Sequence, residues 1–268
     1  MIELSNISKS YPTGELYSEL NLRLNQGDKV GLVGRNGTGK STLFKLILGE
    51  EQQDSGEIKL PKAYKIGALK QYFDFTEKSL IDETALALSE DDKYDIYKAE
   101  KILFGLGFTE DDLNKNPKSF SGGFQIRINL AKLLLTEPNM LLLDEPTNYL
   151  DILSIRWLKA FLKSFAGEVI LITHDREFMD SVCTHTLGII RRSAFMIEGS
   201  TRKFFEQILA NEEHHEKQKI AQDKKIKDLE EFIAKNKARA ATSTLAQSKV
   251  KILEKMNILE DIDYDDVS

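Results

Sequence analysis

Apolar and polar positions follow two rhythms along the chain, and these predict where the strands and helices lie. Short apolar runs bounded by turn residues predict strands within residues 2–11, 20–24, 30–33, 57–60, 64–69, 140–143, 169–172, 187–190 and 194–197. Residues 140–143 and 169–172 are apolar without interruption, which is typical of parallel strands covered on both faces. The last two strands are expected to form a closing hairpin.

Helical spacing fills the intervals between these strands. Residues 79–106 show a polar helical pattern, and residues 152–165 fit a crossover helix between the two uninterrupted strands. A longer helix is predicted to start at Ser121 and to bury a face made of Ile126, Leu130, Leu133 and Leu134.

The chain changes character after Gly199. From there to about residue 260 it is highly charged, free of glycine and proline, and helical in pattern. Half of residues 261–268 are aspartates, and this acidic composition predicts a disordered tail.

Composition narrows the class of protein. The 268 residues are 41% hydrophobic and 30% charged, which suits a globular chain with a large core. No apolar run is long enough to span a membrane, and neither a signal peptide nor an anchor is evident. The lone Cys183 is expected to be a small buried residue in a reducing, cytoplasmic protein. The net charge of −6 argues against a binder that uses its whole surface on nucleic acid, but it leaves room for a local basic patch.

A glycine-rich segment, residues 34–41, joins the apolar run 30–33 to a helical pattern. A strand, such a turn and a helix together form a P-loop, whose backbone N–H groups cradle phosphate at a helix N-terminus. Lys40 is expected to reach the β- and γ-phosphates of ATP, and the Ser41 hydroxyl to bind Mg²⁺. The residues expected to contact nucleotide here are Gly34, Asn36, Gly37, Thr38, Gly39, Lys40, Ser41 and Thr42.

A second nucleotide motif lies at residues 141–146, where an apolar strand ends in two carboxylates. Asp144 is expected to hold Mg²⁺, directly or through water. Glu145 is expected to polarise the water that attacks the γ-phosphate. A solvated acidic turn is the plain alternative, but it is uncommon for such a pair downstream of a P-loop.

Between these motifs, Ser121-Gly122-Gly123 resembles the signature of the ABC ATPase superfamily. This resemblance implies that the start of the helix closes onto ATP held by another P-loop. It also implies roles for four further residues. Tyr11 would stack on adenine, Gln71 would touch Mg²⁺ and the attacking water, Asp151 would lie in the loop that crosses the dimer interface, and His174 would act at the γ-phosphate. The plain alternatives are a core tyrosine, a surface glutamine and a structural histidine.

At two places the sequence departs from the common ABC pattern, and there it resembles the ABC-F family, whose members are ATPases that act on ribosomes. Phe120 and Phe124 flank the signature, and residues 173–180 form a longer switch segment than usual. Tyr149 stands where that family usually has histidine. ABC-F proteins join two ATPase domains by a helical hairpin, and its basic tip touches ribosomal RNA and the P-site tRNA.

The segment after Gly199 resembles that hairpin. Between Phe232 and Leu253 there are five basic residues and no acidic ones, which suits RNA phosphates. They are Lys235, Lys237, Arg239, Lys249 and Lys251. A solvated helix is the ordinary explanation of such a run. The second arm would run about 22 Å against about 50 Å for the first, so the chain is expected to be half of a longer protein, cut in the linker or a natural fragment.

The sequence therefore predicts an α/β fold. Residues 1–200 would form an ABC-type P-loop domain with a mixed core sheet, an antiparallel β subdomain and a helical subdomain at about 72–135. Residues 201–260 would form the hairpin linker. The expected partners are the ribosome and either a second ATPase domain or a homodimer mate, and hydrolysis by the isolated domain is expected to be weak.

Three other classes of protein compete with this interpretation. The ATPase subunit of an ABC transporter has no need of a basic hairpin after its last strand. ABC-type DNA-repair or chromosome ATPases place a coiled coil between P-loop and signature, and here that interval is short. An interaction protein with an inactive core would not need Lys40, Asp144, Glu145 and His174 to be intact.

Overall fold

The structure, a computed structural model, describes residues 2–69, 75–90, 92–236 and 248–251. The strands are β1 (Ile2–Tyr11), β2 (Gly14–Leu24), β3 (Lys29–Val33), β4 (Ser55–Lys59), β5 (Ile66–Ala68), β6 (Met140–Asp144), β7 (Glu168–Ile172), β8 (His185–Ile190) and β9 (Ser193–Glu198). The helices are α1 (Lys40–Leu48), α2 (Leu80–Ala85), α3 (Ile96–Gly105), α4 (Gly122–Leu135), α5 (Ile152–Ser164), α6 (Arg176–Val182) and α7 (Thr201–Asn236). Contacts divide the chain into two compact units, Met1–Phe204 and Phe205–Ser268.

A six-stranded sheet organises the first unit, in the order β5-β6-β7-β3-β8-β9. Neighbouring strands from β5 to β8 are parallel, while β9 pairs with β8 in the antiparallel sense, as expected for the closing hairpin. A second sheet of order β2-β1-β4 is antiparallel throughout. The α/β fold with a mixed core sheet and an antiparallel subdomain is thereby confirmed.

The core sheet buries both faces, as its uninterrupted apolar strands predicted. In β6, Met140 and Leu142 pack with α1 and the antiparallel sheet. Leu141 and Leu143 point the other way and pack with helices α4 to α6. Because successive side chains of a strand alternate between faces, one apolar run serves two separate cores.

The helical region between β5 and β6 differs from the sequence prediction at two points. Residues 79–106 form two helices, α2 and α3, because residues 86–90 and 92–95 do not continue the helix. In α4 the buried face is centred on Ile128, Ala131 and Leu134, whereas Ile126 and Leu133 of the predicted face are only partly buried. The whole side chain of Arg127 is also buried in α4, a position for which apolar periodicity gives no expectation.

The switch segment contains a helix that the sequence analysis did not predict. Asp175 begins α6 by accepting a hydrogen bond from the Phe178 N–H at 2.9 Å. The same short helix carries Asp180, whose carboxylate accepts bonds from the N–H of Thr201 at 2.7 Å and from its hydroxyl at 3.0 Å. Thr201 is the first residue of α7, so Asp180 caps that helix.

The second unit, from Phe205 onward, is described as the remainder of α7 and a helical stretch at residues 248–251. Most of its side chains are exposed and many are charged, with pairs such as Lys235 Nζ to Glu231 Oε2 at 3.7 Å along the helix. No helix in the described part of the chain combines the length and the apolar character needed to cross a bilayer. The predicted acidic tail, residues 261–268, lies outside the described residues.

Candidate functional site

The phosphate-binding loop connects β3 to α1 at the carboxyl edge of the core sheet. Gly34, Gly37 and Gly39 all have positive φ, at 145°, 91° and 100°. Glycine tolerates these left-handed values, which a side chain would make costly. Gly39 stands immediately before α1 as its N-cap residue, so the free N–H groups of the first turn border the loop. The arrangement predicted from the sequence is present.

Tyr17 supports this loop from below, and the sequence analysis missed it. Its hydroxyl donates to the Gly39 carbonyl oxygen at 2.5 Å, and its ring lies where a Cβ on Gly39 would have to be. The residue is fully buried, and this burial raises the pKa of the phenol. Tyr17 is 22 positions before Gly39 in an ordinary strand pattern, so no local signal points to this contact.

Lys40 lies inside the loop. Its ammonium donates to the carbonyl oxygens of Gly34 at 2.5 Å and Arg35 at 2.7 Å. Partial burial lowers the pKa of Lys40, against the opposing effect of Asp144 and Glu145. The nearby carboxylates therefore lie close enough to influence its charge, as expected when all three groups surround one phosphate chain.

Other predicted residues of the loop take different positions. Thr38 donates its hydroxyl to the Arg35 carbonyl oxygen at 3.0 Å and so stiffens the turn. Asn36 is exposed at its tip. Ser41 is exposed and Thr42 half-buried in the first turn of α1, next to Lys40. The structure thus brings all predicted P-loop residues to one end of one helix.

Two carboxylates follow β6 at the same edge. Asp144 pairs with Ile172 in the neighbouring strand and has an exposed side chain. Partial burial of its carboxyl raises the pKa of Asp144, and this effect is opposed by Lys40 and His174. Asp144 lies close enough to Lys40 to influence its charge, and a carboxylate oxygen is the kind of ligand that a hard divalent cation prefers.

Glu145 combines an uncommon backbone conformation with an incompletely hydrogen-bonded side chain. Its φ is 48°, a left-handed value that is uncommon for a residue with a side chain, and its N–H donates to the Ile172 carbonyl oxygen at 2.8 Å. Oε2 accepts a 3.3 Å bond from the Thr173 hydroxyl. Oε1 is buried and has no hydrogen-bond partner in the described structure, although His174 Nε2 is 3.5 Å away. Such an unsatisfied oxygen is expected to need a partner from a ligand or water.

His174 follows β7, next to the two carboxylates. Its side chain is 84% exposed, so His174 is not part of the hydrophobic core. The preceding Thr173, which the sequence analysis passed over, accepts a bond from the Asp175 N–H at 3.1 Å while donating to Glu145. Thr173 therefore joins the turn after β7 to the Glu145 carboxylate.

The signature residues lie at the start of α4 and face outward. Ser121 and Gly122 are exposed, and the Ser121 hydroxyl makes no capping bond. A Cβ built on Gly122 would meet nothing within 4 Å, and one built on Gly123 would make an ordinary contact with Tyr149. Within the described residues, no neighbouring atom therefore requires glycine at position 122.

Asp151 is engaged within the chain. Its carboxylate caps α5 by accepting from the Ser154 N–H at 2.9 Å, and it pairs with buried Arg127 at 3.0 Å. These contacts, first the bond from Ser154, lower the pKa of Asp151. Arg127 also donates to the carbonyl oxygens of Tyr149 and Leu106 and so links the signature helix to the loop before α5.

The remaining predicted residues belong to other elements or lie outside the described residues. Tyr11 ends β1 and is 37% exposed, so the alternative of a core tyrosine is wrong. Lys235 is in α7, and Lys249 and Lys251 are in the helical stretch 248–251. The others, Gln71, Lys237 and Arg239, lie outside the described residues. Among those described, no group of three or more His, Cys, Asp or Glu side chains could hold a metal by itself.

Sequence families and curated proteins agree on the type of domain. The family described as ABC transporter matches residues 17–148, and a further ABC transporter family matches residues 188–268. The "Uncharacterized ABC transporter ATP-binding protein YfmM" of Bacillus subtilis is 31% identical over 97% of this chain and 58% of its own length. "ABC transporter F family member 5" of Arabidopsis thaliana is 30% identical over 97% of this chain and 44% of its own length. The chain thus spans about half the length of the curated relatives that it matches.

Solved structures share the fold. The ATP-binding subunit of an ABC transporter has a TM-score of 0.66 and 22% identity, over 78% of this chain and 93% of that chain. An ATP-binding cassette solved as a dimer after hydrolysis, with ADP and phosphate, has a TM-score of 0.59 and 23% identity, over 74% of this chain and 98% of that chain. The predicted resemblance to ABC-F proteins is confirmed by the curated relatives, and the ABC cassette fold by the solved structures.

Proposed function

The chain belongs to the ABC ATPase family, and from this premise we propose that it is the first half of an ABC-F-type protein that binds Mg·ATP in the cytoplasm. We propose further that it completes hydrolysis only with a second ATP-binding domain and acts on the ribosome through residues 201–260. The proposed division is an ABC domain at residues 1–200, with a helical subdomain at about 72–135, a hairpin linker and an acidic tail at 261–268.

One observation supports the proposal: two candidate binding features, at the carboxyl edge of the sheet and at the start of α4, are each incomplete within the described residues. The carboxyl edge of the sheet presents Lys40, Asp144 and Glu145 around one space, with the Glu145 Oε1 atom unsatisfied. The signature helix presents an exposed, uncapped N-terminus with an unobstructed glycine. A helix N-terminus of this kind attracts anions. This supports an arrangement in which the signature of one domain closes on ATP held by another.

The binding half of the mechanism follows from the loop. The N–H groups of residues 34–41 and the Lys40 ammonium would neutralise the β- and γ-phosphates, with Asn36, Thr38 and Thr42 flanking them. Ser41, Asp144 and Gln71 would hold Mg²⁺. The metal would supply charge neutralisation across the β- and γ-phosphate oxygens. Tyr11 would support the adenine ring.

The hydrolytic half rests on Glu145. Its carboxylate is fixed by Thr173 and by the turn at φ 48°, which leaves Oε1 free to accept a proton from water at the γ-phosphate. His174 and Gln71 would orient the γ-phosphate and that water. Ser121, Gly122, Gly123 and Asp151 would act from the partner domain, so an isolated monomer lacks part of its own site.

The experiment that tests this is light scattering of the Glu145→Gln chain with ATP. That variant should bind ATP without hydrolysing it and should accumulate as a dimer. Adding Lys40→Ala to the same chain gives the matched control, which should stay monomeric because it cannot hold the nucleotide. Rapid turnover by a strictly monomeric wild-type chain would contradict the shared site.

The ribosome is the proposed target of the linker. Five basic residues support this, with no acidic residue between positions 232 and 253. The three within the described residues, Lys235, Lys249 and Lys251, are on helical segments with exposed or half-buried side chains. Phosphate contacts of this kind weaken steeply as salt rises. Replacing Lys235, Lys237, Arg239, Lys249 and Lys251 by Glu should abolish co-sedimentation with ribosomes and spare ATP binding. Unchanged pelleting would reduce the linker to a spacer and favour the transporter subunit instead.

A further inference from the structure

A polar cluster surrounds Tyr11 at the end of β1. The tyrosine hydroxyl donates to Glu51 Oε1 at 2.5 Å. Lys9 forms an ion pair with the same oxygen at 3.1 Å and donates to the Gln52 carbonyl oxygen at 2.7 Å. Asp54 accepts from the Ser10 N–H at 2.7 Å. The end of β1 is thus tied to residues 51–54 by several polar contacts.

These contacts fix the orientation of the Tyr11 ring. The hydroxyl is held by Glu51, and the Lys9 ammonium lies 5.4 Å from the ring centroid. A cation at that distance over an aromatic face is attracted by it. Tyr11 nevertheless stays 37% exposed, so part of the residue remains accessible to a ligand.

Residues 51–54 are themselves coupled to the phosphate loop through α1. That helix starts at Lys40 and ends at a left-handed Gly49 cap, after which the Glu51 N–H donates to the Lys45 carbonyl oxygen at 3.3 Å. Nine helical residues form a rigid spacer of about 13 Å. Glu51 also contributes, with Tyr11, to the electrostatic surroundings of Tyr17, whose hydroxyl bonds Gly39. Both ends of α1 are therefore linked to the same strand pair, β1 and β2.

We propose that Glu51 is a positioning residue for base recognition, which holds the Tyr11 ring as a fixed platform for the adenine of a nucleotide bound at the phosphate loop. This rests on the proposed function, because it assumes that ATP occupies that loop. A ring already locked in place loses less freedom when the base stacks on it, so part of the base affinity depends on Glu51.

Calorimetric titration with ATP and with inorganic tripolyphosphate separates the base from the phosphates. Glu51→Ala should weaken ATP binding roughly threefold to tenfold, the range expected for one aromatic contact. Tripolyphosphate affinity should not change. Tyr11→Phe keeps the ring but loses the bond to Glu51, so it should weaken ATP binding similarly, and the double variant should add nothing further.

Two controls separate positioning from general damage. Glu51→Gln retains an oxygen that accepts the tyrosine hydroxyl, so it should restore most of the ATP affinity. Glu50→Ala removes an exposed carboxylate from the adjacent position and should behave like wild type.

The outcomes distinguish a failure of the role proposed for Glu51 from a failure of the proposed function. Equal losses of ATP and tripolyphosphate affinity in Glu51→Ala would overturn the inference, because Glu51 would then act on the loop. Equal affinity of the wild-type chain for both ligands would also overturn it, since the base would not be recognised. A wild-type chain that binds neither ligand would refute the proposed function itself.

Discussion

The two edges of the core sheet carry similar ionisable groups but differ in how completely those groups are hydrogen-bonded. At the amino edge, where the parallel strands begin, Lys29 donates to the Phe165 carbonyl oxygen at 2.8 Å and Glu168 accepts the Tyr64 hydroxyl. At the carboxyl edge, Glu145 has a buried oxygen without a hydrogen bond and His174 is almost fully exposed. The ionisable groups named at the amino edge have hydrogen-bond partners within the chain, whereas those at the carboxyl edge have only some of theirs.

This contrast separates structural charges from functional ones in physical terms. A buried group whose hydrogen bonds are complete contributes to stability, and removing one partner leaves the other uncompensated. A group that remains incomplete costs free energy in the folded chain, which is offset when a ligand binds. Burial alone does not distinguish them, because Glu168 is 3% exposed and Glu145 has a buried oxygen too.

The largest expected effect comes from exchanging the two glutamates for glutamine. Glu145→Gln should reduce single-turnover hydrolysis of ATP about 10²-fold or more, because the proton acceptor is lost. Glu168→Gln should hydrolyse at the wild-type rate. Rapid quench with the chain in excess over ATP, at a concentration that permits dimers, measures both. Equal losses in the two variants would remove the functional difference between the edges.

The second effect concerns the two lysines and is measured as ATP affinity. Lys40→Ala should weaken ATP binding about 10²-fold, since the ammonium neutralises phosphate charge in a partly desolvated loop. Lys29→Ala removes a lysine of the opposite edge and should leave ATP affinity unchanged. Isothermal titration of both variants with ATP measures these affinities. An unchanged ATP affinity in Lys40→Ala would refute the role of Lys40 in binding phosphate.

Much of the carboxyl edge could be predicted from the sequence because the motifs that identify it consist of residues close together in the chain. A strand, glycines at fixed spacing and a helix identify the loop around Lys40, and a carboxylate pair after an apolar strand identifies Asp144 and Glu145. What the sequence did not reveal depends on contacts between distant positions. Tyr17 reaches Gly39, and Glu51 reaches Tyr11 across 40 positions. Alternation of apolar residues says which face a side chain occupies, but not which partner it meets there.

The third effect tests stability at the amino edge. Glu168→Gln should lower the free energy of unfolding by about 2 kcal/mol, because a buried, hydrogen-bonded carboxylate is replaced by a neutral amide. Glu145→Gln should change stability by less than about 0.5 kcal/mol, since the lost charge had an unsatisfied oxygen. Urea unfolding of the two variants measures this, and a reversed order would show that the amino-edge contacts contribute little.

The smallest effect distinguishes the first residues of two helices, α4 and α5. Serine at an N-cap is usually worth about 1 kcal/mol, but the Ser121 hydroxyl makes no capping bond, so Ser121→Ala should leave the free energy of unfolding almost unchanged. Asp151→Ala should cost about 1–2 kcal/mol, because it removes a working cap and the pair with Arg127.

The pH dependence of that difference supplies an independent check. The bonds from Ser154 and Arg127 lower the pKa of Asp151 from its ordinary 3.8, so the ionised carboxylate stabilises the fold. The difference between wild type and Asp151→Ala should therefore be complete above pH 3.8 and shrink as the pH falls through the lower, folded-state value. Ser121→Ala should show no such dependence. An equal loss of stability in Ser121→Ala and Asp151→Ala would mean that both residues stabilise the fold. It would contradict the proposal that the Ser121 hydroxyl is left free to bind a ligand held by a partner domain.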